Sequence, residues 1–337
     1  MQFLKRLLKW FAILLLVLSV IYFLGPNPST PVYTNTLPVV PAQATALENY
    51  IAANEAQHKI KPQNEARIVW HNDSTKQKTA YAIVYLHGFS ASQEEGAPVH
   101  KAIAKKFGCN LYLARLAEHG IDTTEAMQNL TAENYWESVK QAYAIGKQLG
   151  NKVIVMGTST GGSNALQLAA SFPDVYALVL LSPNIAINDP NAWLANNPWG
   201  LQIARLVKKS DYHITKDQRD IYKAYWYSKY RLEAVVNLQE YLETAMTDET
   251  FSNVKQPTLL LYYYKDEVHQ DSVVKVGAML QMFDKLGTVA EQKRKVAMPN
   301  TGDHVIGGYI KSNDYQGVET EVTKFMMEVL KLPISNK

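Results

Sequence analysis

Apolar residues fall into short continuous runs that alternate with segments where apolar positions recur every three or four residues. The run at 80–86, AYAIVYL, is continuously apolar and rich in β-branched and aromatic residues, which is typical of a strand buried on both faces. Residues 131–149 have helical periodicity and begin at Thr131, a favourable N-cap. Further strands are predicted at 66–70, 109–114, 152–156, 175–182, 257–263 and 293–298, and further helices at 44–56, 98–107, 163–171, 272–286 and 314–330.

This alternation predicts an α/β fold with a mostly parallel central sheet and helices on both faces. Residues 184–254 break it, because they contain no convincing strand and are too many for a simple connection. We predict an inserted helical cap there. Its aromatic residues fit two compatible interpretations, packing on the sheet edge and lining a substrate pocket as a lid: Trp193, Trp199, Tyr212, Tyr222, Tyr225, Trp226, Tyr227, Tyr230 and Tyr241.

The N-terminus carries an apolar run, residues 7–24, which is just long enough to span a bilayer. Lys5 and Arg6 precede it and the next charge after Lys9 is Glu48, so the positive-inside rule places the body of the protein on the exported side, periplasmic or extracellular. A cleaved signal peptide is the alternative, but bulky residues at 22–24 favour an uncleaved anchor. We therefore predict an anchor or signal peptide at 1–25, a proline-rich extended spacer at 26–43 and a folded domain at 44–337 that includes the cap.

Composition excludes several classes of protein. The 337 residues are 47% hydrophobic with a net charge of +3, which is ordinary for a globular chain. No nucleic-acid partner is predicted, since basic residues are not clustered. The single cysteine, Cys109, allows no intrachain disulfide. The scattered histidines and the lack of an H-E-x-x-H pattern predict no metal, and we expect no cofactor.

The segment GTSTG at 157–161 is a G-x-S-x-G motif. It follows the predicted strand KVIVM and precedes a predicted helix, which is the strand–turn–helix setting that exposes a nucleophilic serine. Glycines are needed on both sides because other side chains would collide in so sharp a turn. We therefore predict that Ser159 is a nucleophile, although a phosphate-binding turn would have a similar composition.

A serine nucleophile requires a histidine base and a carboxylate that orients it. In this architecture the acid and then the histidine follow the serine, on loops after later strands. His304 lies on the loop between the last predicted strand and the last predicted helix, so we predict it as the base. Asp266 is the first carboxylate after the strand at 257–263 and is the predicted acid, with Glu267 and Asp271 as alternatives.

The oxyanion of a tetrahedral intermediate needs backbone donors. One is predicted to be the N–H of Thr160, directly after the serine. The other is the N–H of Phe89, in the loop after the strand at 80–86. His87 and His119 are interpreted as residues that organise this loop.

Several motifs together resemble the α/β-hydrolase superfamily, in its monoglyceride lipase and carboxylesterase-like (serine aminopeptidase-like) branch. The resemblance covers about residues 80–330 and implies Ser159, Asp266 and His304 as the triad, with a helical cap. Thr158 and Thr160 depart from the histidine and the methionine or glutamine usual beside the serine. The motifs are LHGF (86–89), RLAEHG (115–120), TAENYW (131–136), GTSTGG (157–162), KDEV (265–268) and GDH (302–304).

These features predict a membrane-anchored serine esterase that cleaves acyl-glycerols or other lipidic or short-chain esters through an acyl-enzyme on Ser159. The substrate class follows only from the resemblance and from the apolar cap. A peptidase, amidase or acyltransferase could use the same triad. A non-catalytic membrane-anchored scaffold is the third hypothesis, which an intact triad disfavours.

Overall fold

The computed structural model describes residues 1–335, and its centre is a mixed sheet of seven strands. In chain order the strands of the protein are β1 (Arg67–Val69), β2 (Thr79–Leu86), β3 (Asn110–Leu113), β4 (Gly150–Thr158), β5 (Val175–Leu181), β6 (Tyr212–Ile214), β7 (Lys229–Arg231), β8 (Thr258–Tyr262) and β9 (Lys293–Ala297). The central sheet has the order β1-β3-β2-β4-β5-β8-β9. All neighbours are parallel except β1, which runs antiparallel to β3.

Helices cover both faces of this sheet. The described helices, in chain order, are α1 (Gln2–Phe23), α2 (Ala44–Glu55), α3 (Val99–Lys106), α4 (Ala132–Leu149), α5 (Thr160–Ser171), α6 (Gly200–Lys208), α7 (Asp220–Tyr225), α8 (Leu232–Ala245), α9 (Asp248–Asn253), α10 (Val276–Lys285) and α11 (Tyr315–Glu328). Short 3-10 turns lie at Gln93–Gly96, Ala192–Leu194 and Ala290–Gln292. Helices α3 and α11 share one face, and α4 and α5 pack together on the other. The predicted fold class is confirmed.

The core follows from the continuous apolar strands. Neighbouring residues of β2 point to opposite faces, so Ile83 joins the cluster under α3 and α11 while Val84 joins the cluster under α4 and α5. Both side chains are fully buried. The N-cap of α4 is also as predicted, because Thr131 Oγ1 accepts a hydrogen bond from the Asn134 N–H at 3.1 Å.

The prediction that residues 184–254 contain no strand is wrong in one detail. The insertion is mainly helical, but β6 and β7 pair as an antiparallel ribbon in which His213 lies opposite Tyr230. Each strand has three residues, too few to produce a recognisable alternation of apolar and polar positions. The cap aromatics serve both predicted roles, since Tyr227 and Tyr241 are buried in packing while Tyr230 also lines the large cavity described below.

The helix α1 is exposed along its whole length and has a mean hydropathy of 2.0, so it is long and apolar enough to cross a membrane. It ends against the cap: the indole Nε1 of Trp199 donates to the Ile21 carbonyl at 3.0 Å, and the Trp199 N–H donates to the Pro26 carbonyl at 2.9 Å. The end of the apolar helix and the start of α6 are therefore in direct contact.

Residues 26–43 form neither helix nor strand up to the start of α2, but they are not the free spacer that their composition predicts. The Tyr33 ring packs edge-on against Trp136 and Tyr241. Trp136 Nε1 donates to the Thr34 carbonyl at 2.8 Å, and the buried Lys140 Nζ donates to Thr34 Oγ1 at 2.6 Å. These contacts make the segment part of the folded domain.

Candidate active site

Ser159 stands at the bend between β4 and α5, at the carboxyl edge of the sheet. Its φ of 54° lies in the left-handed region, which is strained for a residue with a side chain. Two backbone bonds hold the bend: the Ser159 N–H donates to the Leu181 carbonyl at 2.9 Å, and its carbonyl accepts from the Asn184 N–H at 3.0 Å. The strain is therefore offset by bonds to the neighbouring strand and to the residues that follow it.

Gly157 and Gly161 lie so close to other backbone atoms that neither position has room for a side chain. A Cβ on Gly157 would lie 2.3 Å from the Gly161 carbonyl oxygen, and a Cβ on Gly161 would lie 2.0 Å from the Leu86 carbonyl oxygen. Both contacts are with backbone atoms, which cannot move aside without displacing a strand or the helix. The geometric part of the prediction, a glycine-flanked turn at the sheet edge, is thus present.

His304 lies on the loop after β9, as predicted, and it is buried. Its Nδ1 is 2.6 Å from Asp271 Oδ2. Its Nε2 is also buried and has no hydrogen-bond partner within residues 1–335. Burial alone would lower the pKa of His304, but the charge of Asp271 and the hydrogen bond outweigh burial and raise the pKa above its ordinary value.

Asp266, the acid predicted from the sequence, does not meet His304. Its side chain is half-exposed, and Oδ1 accepts hydrogen bonds from the Val268 and His269 N–H groups at 2.9 and 2.8 Å. The His269 ring also pairs with it, Nδ1 to Oδ1 at 2.9 Å. Asp266 therefore caps a surface turn. The prediction that Asp266 orients His304 is wrong, because Asp271 makes this contact instead.

The loop after β8 folds back on itself, which explains the correction. Tyr264 and Gln270 form an isolated antiparallel bridge, so the residues between them project away from the sheet. The Asp271 N–H then returns to the Tyr263 carbonyl at 3.1 Å. Only 1% of Asp271 is exposed, and its Oδ1 accepts from the Val273 and Val274 N–H groups. The sequence signal available was the apolar Val274, three residues after Asp271, where the chain is buried again.

The loop after β2 brings Phe89 to the same cavity as Ser159. The backbone N–H groups of Phe89 and Thr160 donate no hydrogen bond to any group within residues 1–335. Two histidines shape the loop, as predicted. Within hydrogen-bond distance, His87 Nε2 accepts from the Leu116 N–H and His119 Nε2 accepts from the Ser90 N–H, both at 3.0 Å.

Burial keeps both loop histidines neutral. It lowers the pKa of His87 to about 4 and that of His119 well below its ordinary value. A neutral imidazole retains one acceptor nitrogen, which these two bonds use. Their role is therefore to hold the loop and not to exchange protons.

Ser159, His304 and the 87–90 loop open into a cavity of ≈ 1110 Å³ that the cap covers. Asp266 does not line it. The cavity wall on the cap side is mainly apolar and includes Ile187, Leu194, Ile203, Trp226, Tyr230, Val235 and Leu238.

No cluster of three or more metal-ligating side chains exists within residues 1–335. One further carboxyl group reaches this cavity, that of Glu95, which the sequence analysis did not select because nothing in the sequence separates it from Glu94.

Comparison with known proteins agrees with this geometry. Residues 81–210 match the family model described as the alpha/beta hydrolase fold, a range that contains Ser159 but ends before Asp271 and His304. The chain has the α/β-hydrolase fold, and the resemblance expected from the sequence is confirmed.

Particular relatives are lipolytic enzymes. A thermostable monoacylglycerol lipase from Bacillus sp. (strain H-257) is 32% identical over 108 residues, 32% of this chain. That match spans 42% of the lipase, less than half of its length. A structure from work on the metagenome-derived lipolytic enzymes LipS and LipT has a TM-score of 0.64 at 18% identity, covering 80% of this chain and 100% of that one. The monoacylglycerol lipase of Paleococcus ferrophilus has a TM-score of 0.53 at 13% identity, covering 77% and 99%.

Proposed function

We propose that this protein is a serine hydrolase that cleaves carboxylic esters through an acyl-enzyme on Ser159. The observation that carries the proposal is the buried His304–Asp271 pair: the Nε2 of His304 has no partner within residues 1–335, and His304 lines the same cavity as a serine on a strained, glycine-flanked turn. A neutral imidazole with one nitrogen held by a carboxylate and the other unoccupied is arranged to accept a proton.

In the reaction, Ser159 Oγ attacks the ester carbonyl carbon while His304 Nε2 takes the hydroxyl proton. Asp271 orients the ring and stabilises the imidazolium that results. The C–O bond of the ester then breaks, and the alcohol leaves with the proton from His304. Water attacks the acyl-enzyme by the same route in reverse, which releases the carboxylic acid and restores Ser159.

Phe89 and Thr160 are the proposed oxyanion donors. Each has a backbone N–H that is not used elsewhere in the described chain, and the two flank the serine from separate elements. Donors of this kind act where negative charge develops, and loss of one lowers kcat by roughly 10²–10³-fold in a serine protease. The amino end of α5 adds a favourable dipole at the same place.

The cavity supports an apolar acyl chain as the substrate group. Its volume, ≈ 1110 Å³, is at the upper end of small-molecule sites, and its cap side offers aliphatic and aromatic surface. A monoacylglycerol lipase among the relatives points in the same direction. Monoacylglycerols and other lipidic esters are therefore the proposed substrates, whereas peptides would leave this apolar wall without polar partners for their amide groups.

We further propose that α1 is an uncleaved membrane anchor and that the cap rests on the bilayer beside it. Trp199 ties the end of α1 to the start of α6. On α6, Leu206 and Val207 are 78% and 72% exposed, and Val207 also lines the cavity. An amphipathic helix with such a face binds at the lipid interface. Lys5 and Arg6 favour the cytoplasmic side for the N-terminus, so the domain would be exported.

Hydrolysis of p-nitrophenyl esters of graded chain length, run beside an aminoacyl p-nitroanilide, tests the chemistry. We expect ester turnover that is abolished by Ser159→Ala and His304→Ala, with the longer acyl chains preferred. Turnover of the anilide alone would instead support the peptidase alternative, and no turnover of either by a folded wild-type chain would support the scaffold. The double variant Leu206→Gln/Val207→Gln tests the membrane placement.

That double variant should lose much more activity on an ester embedded in vesicles than on a dissolved short-chain ester, for which only the change in the cavity wall at Val207 matters. Val289→Gln is the matched control, because Val289 is also an exposed valine but precedes β9 at the amino edge of the sheet. Equal activity of the double variant and the control on vesicles would contradict contact between α6 and the bilayer.

A further inference from the structure

The carboxyl group of Glu95 lies beneath the loop that carries the proposed oxyanion donor. Glu95 is 1% exposed, and its Oε1 accepts a hydrogen bond from the Gly88 N–H. The Tyr85 hydroxyl lies 3.4 Å from the same oxygen and 2.8 Å from Thr158 Oγ1, the residue before the nucleophile. One carboxyl group thus connects the oxyanion loop to the strand that leads to Ser159.

Glu95 is also close to the serine itself. The point that a Cβ on Gly88 would occupy is 3.0 Å from Ser159 Cβ and 3.2 Å from each carboxyl oxygen of Glu95. Glu95 lines the cavity together with Ser159 and His304. The Glu95 carboxyl group and the Ser159 side chain therefore both border the small space beside Gly88.

No cation balances this group. Within residues 1–335, Glu95 forms no ion pair with Lys, Arg or His, whereas its neighbour Glu94 pairs with Lys101 at 3.3 Å. The groups that act on Glu95 or feel its charge are the hydroxyls of Tyr85, Tyr135 and Tyr222 and the His304 imidazole. Burial without a paired cation favours the neutral form of a carboxyl group and raises its pKa.

We propose that Glu95 is a positioning residue for the ester hydrolysis, which holds the Gly88 N–H so that the next N–H, that of Phe89, points into the site, and which must be uncharged for the reaction to proceed. This rests on the function proposed above. A carboxylate at this place would face the negative charge of the tetrahedral intermediate across a glycine, in a buried region where such repulsion is strong. Ionisation of Glu95 would therefore stop catalysis.

Glu95 should change its charge within the pH range in which activity can be assayed. Burial raises its pKa to about 8, against the lowering effects of the Gly88 N–H and of the His304 charge. The site then needs a neutral His304, which sets the acid limb of the pH profile, and a neutral Glu95, which sets the alkaline limb. Activity should accordingly fall as the pH rises through the pKa of Glu95.

The experiment is the pH profile of kcat/KM for p-nitrophenyl butyrate, followed at the isosbestic wavelength, with the full-length chain in detergent micelles. We expect wild type to lose activity above about pH 8. Glu95→Gln keeps an acceptor oxygen and cannot ionise, so it should stay within about threefold of wild type at neutral pH and lose the alkaline limb. Glu95→Ala removes the acceptor and should lower kcat about 10–100-fold at every pH, with KM little changed.

Glu94→Gln is the matched control, since it removes a carboxylate from the same turn but one that pairs with Lys101 at the surface. It should leave kcat and both limbs as in wild type. An alkaline limb that persists in Glu95→Gln overturns the proposal, and so does a Glu95→Gln variant as impaired as Glu95→Ala.

A second measurement uses only the wild-type chain and therefore tests the proposal even if the Glu95 variants do not fold. The rate at which a fluorophosphonate labels wild-type Ser159 should also fall above about pH 8, and a rate that stays constant to about pH 9.5 overturns the role of Glu95. Failure of the proposed function is a different result, because Ser159 would then not be labelled at any pH.

Discussion

His304 shares its buried hydrogen bond with Asp271, 33 residues earlier in the chain, and not with Asp266 on the surface of the same loop. The two aspartates are five positions apart, yet one is 1% exposed and the other has a half-exposed side chain. The pairing decides which carboxylate can stabilise an imidazolium at the site.

The two aspartates give a matched pair of substitutions. Asp271→Asn keeps the oxygen that accepts from Val273 and Val274 but replaces the charge, so the fold should persist while kcat falls by a factor on the order of 10³–10⁴. Asp266→Asn likewise keeps the local turn and should stay within about twofold of wild type. Steady-state kinetics with circular dichroism as a folding check measures both. A larger loss in Asp266→Asn would return the role to the predicted acid.

The pH dependence of kcat/KM also tests whether Asp271 is the partner of His304. His304 must be neutral to accept the serine proton, so kcat/KM should fall as the pH drops through its pKa, which Asp271 raises above the ordinary value. Because Asp271→Asn removes the charge that raises this pKa, the acid limb of its residual activity should move to lower pH. An unmoved limb would show that another group titrates there.

The tight turn around Ser159 predicts that a side chain added at Gly161 strongly lowers the stability of the fold. Gly161→Ala places a Cβ 2.0 Å from the Leu86 carbonyl oxygen, so it should destabilise the fold by about 3 kcal/mol or prevent folding. Gly277→Ala is the control, since a Cβ there meets nothing within 4 Å and the position is helical. It should be neutral or stabilising by about 0.5 kcal/mol. Denaturant midpoints distinguish the two, and equal midpoints would contradict the close approach.

Because residues 26–43 pack on the domain, two N-terminal truncations should differ in their stability. Removing residues 1–25 takes away the apolar helix and leaves Tyr33 and Thr34 on the domain. Removing residues 1–43 also uncovers Trp136 and the buried Lys140, and should cost about 2 kcal/mol or more in unfolding free energy. Thermal unfolding of both chains tests this. Equal stability would mean that the segment is the free spacer suggested by its prolines.

Local patterns were sufficient for much of the fold. Each buried strand is a continuous apolar run, and the strand–turn–helix setting around Ser159 is complete within about twenty residues, so periodicity and glycine spacing predicted both. His304 was found from its place on the loop after the last strand, together with the chain order of acid and histidine expected for this architecture.

The remaining features depend on tertiary contacts that no local pattern encodes. Asp271 reaches His304 because its loop turns back at Tyr264–Gln270, and the first acidic residue is not the one that returns. Glu95 differs from Glu94 only in the direction of its side chain within one turn. Residues 26–43 resemble a linker in composition, but their few aromatic and hydroxyl groups find partners on α4.

Mass mapping of a fluorophosphonate adduct is the most direct test of whether Ser159 is the nucleophile. We expect a single covalent adduct on the peptide that contains Ser159, at full occupancy in wild type and absent in Ser159→Ala, with labelling strongly slowed in Asp271→Asn. An adduct on any other residue, or no adduct on a folded wild-type chain, would contradict the assignment of Ser159 as a nucleophile activated by His304.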